Sequence, residues 1–220
     1  MNRLKTSELF SIIPAYLESI FNTAKYPWEI LPIIKKHIII LLKNPPKYFK
    51  LLKEGVLVGE NVKISENATI IPPVIIDDNT EIRSGAYIRG NVIIGKNCVI
   101  GNSCELKNCI LLDNVQTPHY NYVGDSILGN FAHLGAGSIC SNLKSDKTNI
   151  TVKLNDCKIN TNLRKFGGII GDNVEIGCNS VINPGTIIGK NTRVYPLTSI
   201  RGYIPPNLIV KSMDNIVKQI

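Results

Sequence analysis

Residues 56–112 read VLVGENVKISENATIIPPVIIDDNTEIRSGAYIRGNVIIGKNCVIGNSCELKNCILL. From Val58 an apolar residue returns every six positions: Val58, Ile64, Ile70, Ile76, Ile82, Ile88, Ile94, Ile100, Leu106 and Leu112. Four places after most of them stands a small or β-branched residue, among them Val62, Ala68, Val74, Thr80, Ala86, Val92, Cys98 and Cys104. After an irregular stretch the pattern resumes as Ile170, Ile176, Ile182, Ile188, Val194 and Ile200. A fixed period sustained this long is the mark of a solenoid.

The residues between the apolar positions fit that reading. Three places after the repeat starts come Asn61, Asn67, Pro73, Asn79, Gly85, Asn91, Asn97 and Ser103, then Asn173, Asn179, Gly185 and Asn191. Asn and Gly enter left-handed backbone conformations at little cost, which a sharp corner between short strands demands. Each hexad is one short strand and one corner, and three hexads close a triangular coil. Coils stacked about 4.8 Å apart as parallel strands enclose a core of Ile and Val. Both ends of such a prism leave strand edges unpaired, so caps are expected.

The flanking sequence supplies candidates for those caps. Residues 1–53 hold nine Lys/Arg against three Asp/Glu, so most of the net charge of +8 lies there and a boundary falls near Glu54. Helical spacing of Leu9, Ile12, Ile13, Tyr16, Leu17 and Ile20, and of Ile30, Ile33, Ile34, Ile38, Leu41 and Leu42, predicts a helical region over 1–54. The reading is of helices covering one end of a β-helix over 55–205, with an inserted loop at about 143–168. A tail over 206–220, with a short helix at about 211–219, covers the other end. Lys35, Lys36, Lys43, Lys47, Lys50 and Lys53 make a basic face that suits an anionic membrane or a nucleic acid, or simply a solvated surface. The nearly neutral repeat gives nucleic-acid binding little support. The longest apolar stretch, Ile30 to Leu42, is interrupted by Pro32 and Lys35-Lys36-His37 and is too short to span a bilayer. No signal peptide is legible, and the six cysteines contain no CxxC pair, so the expectation is a cytoplasmic protein with free thiols and no metal.

Function is sought where the repeat breaks, between Leu112 and Ile170. That segment gathers His119, His133, Tyr120, Tyr122 and the run Gly135-Ala136-Gly137. Upstream, Arg89 and Lys107 stand 18 residues apart, one coil. Stacked cations repel, and as a clamp on a phosphate they make chemical sense.

The motifs Glu105-Leu106-Lys107, His119 with Tyr122, Gly124 and Asp125, Gly135 to Ser138, and Asn142 together resemble a known family, and so does the run Arg164 to Asp172. It is the acetyltransferase domain of the sugar-1-phosphate nucleotidylyltransferase/glucosamine-1-phosphate N-acetyltransferases, a left-handed parallel β-helix of hexapeptide repeats. The resemblance covers about residues 55–212. It implies that His119 is the general base, a role an imidazole titrating near 6.5 suits. It further implies that Arg89, Lys107, Tyr122 and Asn142 bind an amino-sugar phosphate, joined by Lys147 from the loop. Ala136 would face acetyl-CoA, and the site would lie between subunits of a homotrimer. Three positions depart from the family pattern. His133 stands for the usual Asn beside the sugar, Leu143 for a common aromatic, and Cys178 for the Ser that helps hold the thioester.

The implied activity is acetyl-CoA-dependent N-acetylation of a glucosamine-1-phosphate-like acceptor in nucleotide-sugar biosynthesis. The chain shows no Gly-rich nucleotide loop, so a nucleotidyltransferase domain is not expected in it. The alternative is a non-catalytic β-helix that binds sugar nucleotides or scaffolds a separate nucleotidyltransferase.

Overall fold

The computed structural model describes residues 2–154 and 157–219. Its body is a parallel β-helix of the left-handed hexapeptide type, three sheets of short strands wound around one core. The first sheet runs from Val56–Val58 through Val74–Ile76, Val92–Ile94, Cys109–Leu111, Ile127–Leu128, Gly168–Ile170 and Thr186–Ile188 to Tyr203–Ile204. The second begins at Lys63–Ile64, and the third runs from Thr69–Ile70 to Ser199–Ile200. The corners joining first to second, second to third and third to first sheet are called here the first, second and third corners.

The inward residues are the hexad positions. Ile76, Ile82, Ile88, Ile94, Ile100 and Leu106 are sealed from solvent with Val74, Val92 and Cys98. Burial pushes the Cys98 and Cys140 thiols up to about 12, so these core cysteines stay protonated and unreactive. At the first corner Asn61, Asn79, Asn97, Asn114, Asn173, Asn191 and Asn207 all have left-handed backbone. Their carboxamides bond along the stack: Asn61 Nδ2 donates to Asn79 Oδ1 at 3.2 Å, and Asn191 Nδ2 to Asn207 Oδ1 at 2.9 Å.

The pitch changes in mid-molecule. Leu106 pairs with Ile88, 18 residues back, but Cys109 pairs with Val92, 17 back. The third corner there has lost one residue. Where Gly90 and Asn91 both adopt positive φ, Asn108 does so alone, and one coil later Asp125 does so alone. The slip therefore falls at Asn108, before the hexad count ends. Leu111, not Leu112, is the inward residue, and Leu112 lies on the other side of the wall.

The N-terminal segment covers a side of the prism rather than an end. The outward residues of the first sheet, Leu57, Ile75, Ile93, Ile110, Ile127, Ile169 and Ile187, pair in one continuous register. All are buried under Phe10, Leu17, Phe21, Trp28, Leu31, Ile34 and Ile38, with Ile150, Val152 and Phe166 from the inserted loop. Each such Ile contributes about 1.5–3 kcal/mol of burial, which a helix laid across the end would forgo. Polar staples fix the segment: Asp172 Oδ2 accepts from Ser11 N at 2.6 Å, and Asn130 Nδ2 donates to Ile12 O at 3.0 Å. The last helix, Ile34–Lys43, stops short of the expected helical limit. Lys50–Lys53 is instead a strand, antiparallel to Val56–Val58, on the open edge of the first sheet.

The C-terminal helix expected at 211–219 is not formed. Leu208–Ser212 and Asn215–Lys218 make an antiparallel hairpin that closes the second sheet. Ile209, Val210, Ile216 and Val217 are β-branched and favour strand over helix. The inserted loop leaves after Ile139–Cys140 and returns at Gly168–Ile170. It carries its own hairpin, Thr151–Lys153 with Lys158–Asn160.

Two measurements test this account. Phe131 occupies the first corner between Asn114 and Asn173 at φ 60°, where a bulky side chain is strained. Phe131→Asn should continue the carboxamide stack and raise stability by about 1 kcal/mol, read from the urea midpoint. Beneath the cap, Asp77 is fully buried and faces Tyr16 without a well-formed hydrogen bond at its Oδ2. Burial raises its pKa, so the folded state holds a proton the unfolded chain has released, and stability falls as pH rises through that elevated value. Asp77→Asn, which keeps an acceptor for Asp78 N, should remove this slope in denaturation followed from about pH 4 to about pH 8.

Candidate functional site

The coil geometry sorts the candidate residues into groups. Gly137 N donates to His119 O, and Asn179 N donates to Ala136 O. His119, Ala136 and Cys178 therefore stand in one column on the second corner, each one coil above the last, about 4.8 Å apart. The His119 side chain is exposed at this edge, and so is that of Cys178. The corner is held from within by Asn121, which is buried. Its Oδ1 accepts from His119 N at 3.2 Å, and its Nδ2 donates to Gly135 O at 2.8 Å and Ser138 O at 3.3 Å. Tyr120 beside it is forced to φ 53° with its ring in solvent.

The second group lies on the outer face and far edge of the third sheet. Tyr122 pairs with Glu105, and Glu105 with Tyr87, so these side chains form one outward row. Arg89 and Lys107 follow one step along the strands, one coil apart. They are not a bare pair of repelling cations, because carboxylates interleave with them. Arg89 Nη1 lies 2.5 Å from Glu105 Oε1, and Lys107 Nζ lies 3.2 Å from Asp125 Oδ2. Mutual repulsion therefore does not mark Arg89 and Lys107 as a phosphate clamp, although both cations remain at the surface beside Tyr122.

Asp125 joins this group together. Its nearly buried carboxylate accepts from Lys107, from Asn108 Nδ2 at 2.8 Å and from Asn142 Nδ2 at 2.5 Å. Asn108 Nδ2 also reaches Leu31 O at 3.2 Å, connecting the cluster to the helical segment. Gly124 leaves the space in which Tyr122 and Asn142 meet. A Cβ there would stand 2.5 Å from the Tyr122 hydroxyl and 2.7 Å from Asn142 Nδ2. Burial, then the charges of Asp125 and Glu105, raise the Tyr122 pKa, so its hydroxyl stays a proton donor at neutral pH.

Two candidates stand apart. His133 is on the outer face of the second sheet, paired in register with Gln116 and Glu175, and its Nδ1 lies 2.8 Å from Glu175 Oε2. The second corner separates it from the Asp125 cluster. Lys147 is exposed in the inserted loop, in a turn closed by its N–H to Lys144 O. Leu143 lies at the loop base, bridged to Lys165.

The sequence reading gave no role to Asn121, Asn108, Glu105 or Asp125. The interval that paired Arg89 with Lys107 would also have paired Lys107 with Asp125, 18 residues on.

A parallel β-helix of six-residue repeats interrupted by one loop is the class this architecture defines. Comparison with known families agrees. The GMPPB C-terminal domain matches residues 70–164, and the bacterial transferase hexapeptide (six repeats) matches residues 167–202. The two matches follow one another across the coils and the loop.

Curated relatives match part of the chain. The bifunctional protein GlmU of Methanococcus vannielii is 39% identical over 83 residues, 38% of this chain and 20% of that protein. The bifunctional sugar-1-phosphate nucleotidylyltransferase/acetyltransferase of Sulfurisphaera tokodaii is 36% identical over 87 residues, 40% of this chain and 22% of that protein. The chain thus spans about a fifth of the length of these relatives. Among solved structures it is similar to AntD, an N-acyltransferase from Bacillus cereus in complex with dTDP and coenzyme A. That similarity has a TM-score of 0.44 and 20% identity, covering 74% of this chain and 84% of AntD.

Removing the Asp125 carboxylate strands the Lys107 ammonium and two carboxamides. Asp125→Ala should cost about 3 kcal/mol, seen as a lower urea midpoint at unchanged m-value.

Proposed function

We propose that the chain is an acetyl-CoA-dependent N-acetyltransferase acting on an amino-sugar phosphate of the glucosamine-1-phosphate kind. The observation that carries this reading is the column of His119, Ala136 and Cys178 along one corner. A general base and the surface for a long acyl carrier share an edge there. The face beside it presents Arg89, Lys107, Tyr122 and Asn142. The names of the relatives, a sugar-1-phosphate nucleotidylyltransferase/acetyltransferase among them, support the substrate class.

In the proposed reaction the acceptor amine attacks the thioester carbonyl carbon and His119 takes the amine proton. The N–C bond forms, the C–S bond breaks, and the departing thiolate leaves as CoA after receiving a proton. Backbone N–H groups stabilise the oxyanion between these events. The cations, each neutralised by a carboxylate at rest, turn toward the phosphate when it binds. The exposed ring of His119 stands on an outer corner accessible to a neighbouring copy, and we assign the complete site to the interface of a homotrimer.

The test is purified protein with acetyl-CoA and glucosamine-1-phosphate, followed by CoA-thiol release. His119→Ala should lower kcat by about 10²–10⁴ with little change in KM. Lys107→Ala should act the other way, raising KM for the sugar phosphate while kcat holds. If the folded protein releases no thiol with any amino-sugar phosphate yet binds a nucleotidyltransferase, the non-catalytic scaffold replaces this reading.

A further inference from the structure

The helix Ile34–Lys43 has two apolar faces, and only one is covered. Ile34, His37, Ile38 and Leu41 point into the molecule and are buried. On the opposite face, Lys35, Lys36, Ile39, Ile40 and Lys43 are exposed, and with Pro32 they line one shallow groove. Ile40 keeps 51% of its surface in solvent and Ile39 39%. Stranding two adjacent isoleucines outside a core that buries every other Ile of this helix costs hydration free energy without any return in the free chain.

The charge around them is of one sign. Residues 30–53 contain six lysines and no Asp or Glu. Among the described residues Lys35, Lys36 and Lys43 form no ion pair, whereas Arg89, Lys96 and Lys107 in the β-helix each have a carboxylate. The sequence continues through Lys47 and Lys50 to exposed Leu51 and Leu52. An uncompensated set of lysines with isoleucines between them matches a surface that is both anionic and apolar just beneath its charge. Nucleic acid offers the first property alone. An anionic lipid bilayer offers both, with headgroups for the ammonium groups and acyl chains for the isoleucines. A helix of this length, about 15 Å, can lie flat in the headgroup layer, and no helix among the described residues is long and apolar enough to cross a membrane.

We propose that the outer face of Ile34–Lys43 docks the protein on a negatively charged bilayer surface, Ile39 and Ile40 inserting between lipids while Lys35, Lys36 and Lys43 meet their headgroups. The proposal does not depend on the transfer reaction.

Vesicle sedimentation of the full chain tests it. Vesicles containing about 30% phosphatidylserine should carry the protein into the pellet, phosphatidylcholine vesicles should not, and about 0.5 M NaCl should release it. Ile39→Ser/Ile40→Ser and Lys35→Ala/Lys36→Ala/Lys43→Ala should each lower partitioning about tenfold or more, with circular dichroism and melting temperature unchanged. Three results overturn the proposal. One is folded wild-type protein that stays in solution with anionic vesicles. Another is an isoleucine variant that binds like wild type, as a surface reading charge alone would, with duplex DNA as an equal competitor. The third is an isoleucine variant whose oligomeric state changes without lipid, which would make this face a contact between copies of the chain.

Discussion

Parallel stacking of the coils governs everything else in this molecule. Because the strand N–H groups are satisfied by the coil above or below, a strand residue's neighbour in space is the one a full coil away in sequence. Chemistry is therefore organised in columns. One column is a carboxamide ladder that stabilises left-handed corners, another stacks Arg89 and Lys107 beside the carboxylates of Glu105 and Asp125, and a third sets His119, Ala136 and Cys178 on a single edge. Side chains that no local motif connects become partners, as Asp125 does with Lys107, Asn108 and Asn142.

Two lost residues give the central coils their character. Shortening the third corner at Asn108 and again at Asp125 leaves a single left-handed residue at each turn, and both carry side chains that hydrogen-bond along the stack. Asp125 is thus a corner residue first. At this third corner its carboxylate accepts from the Asn108 carboxamide one coil below, and the negative charge draws in Lys107 from one side and Asn142 from the other. The conformational demand of the corner and the electrostatics of the cluster meet in one side chain.

Much of the β-helix was legible from the hexads, since an inward residue every six positions, sustained over so many turns, suits neither an amphipathic helix nor a single long strand. A fixed period cannot see a one-residue loss when apolar residues stand on both sides of it. Leu112 satisfied the count while Leu111 faced the core. The side-on cap also left a trace that periodicity ignored. Strands such as Val74–Ile76 and Val92–Ile94 are apolar on both faces, which a sheet shows only when both faces are covered. The C-terminal hairpin stands where a short helix is expected, although Ile209, Val210, Ile216 and Val217 are β-branched and favour strand. His133 fell on a different face from the sugar-side candidates because distance in sequence does not tell which of three walls a residue joins. His119, Ala136 and Cys178 share a column because each follows its strand by the same interval.

The buried isoleucine row on the first sheet has a consequence for how long this β-helix can be. The helical segment and the inserted loop together cover the row from Leu57 to Ile187, and at the next coil Tyr203 is only partly covered. Antiparallel strands at Lys50–Lys53 and Asn215–Lys218 are out of phase with any further parallel coil, so extra length could enter only between existing coils. A coil duplicated there would satisfy its own backbone and core, yet it would push one more outward isoleucine beyond the reach of the cover. The N-terminal segment acts as a ruler, matching the number of coils to its own length.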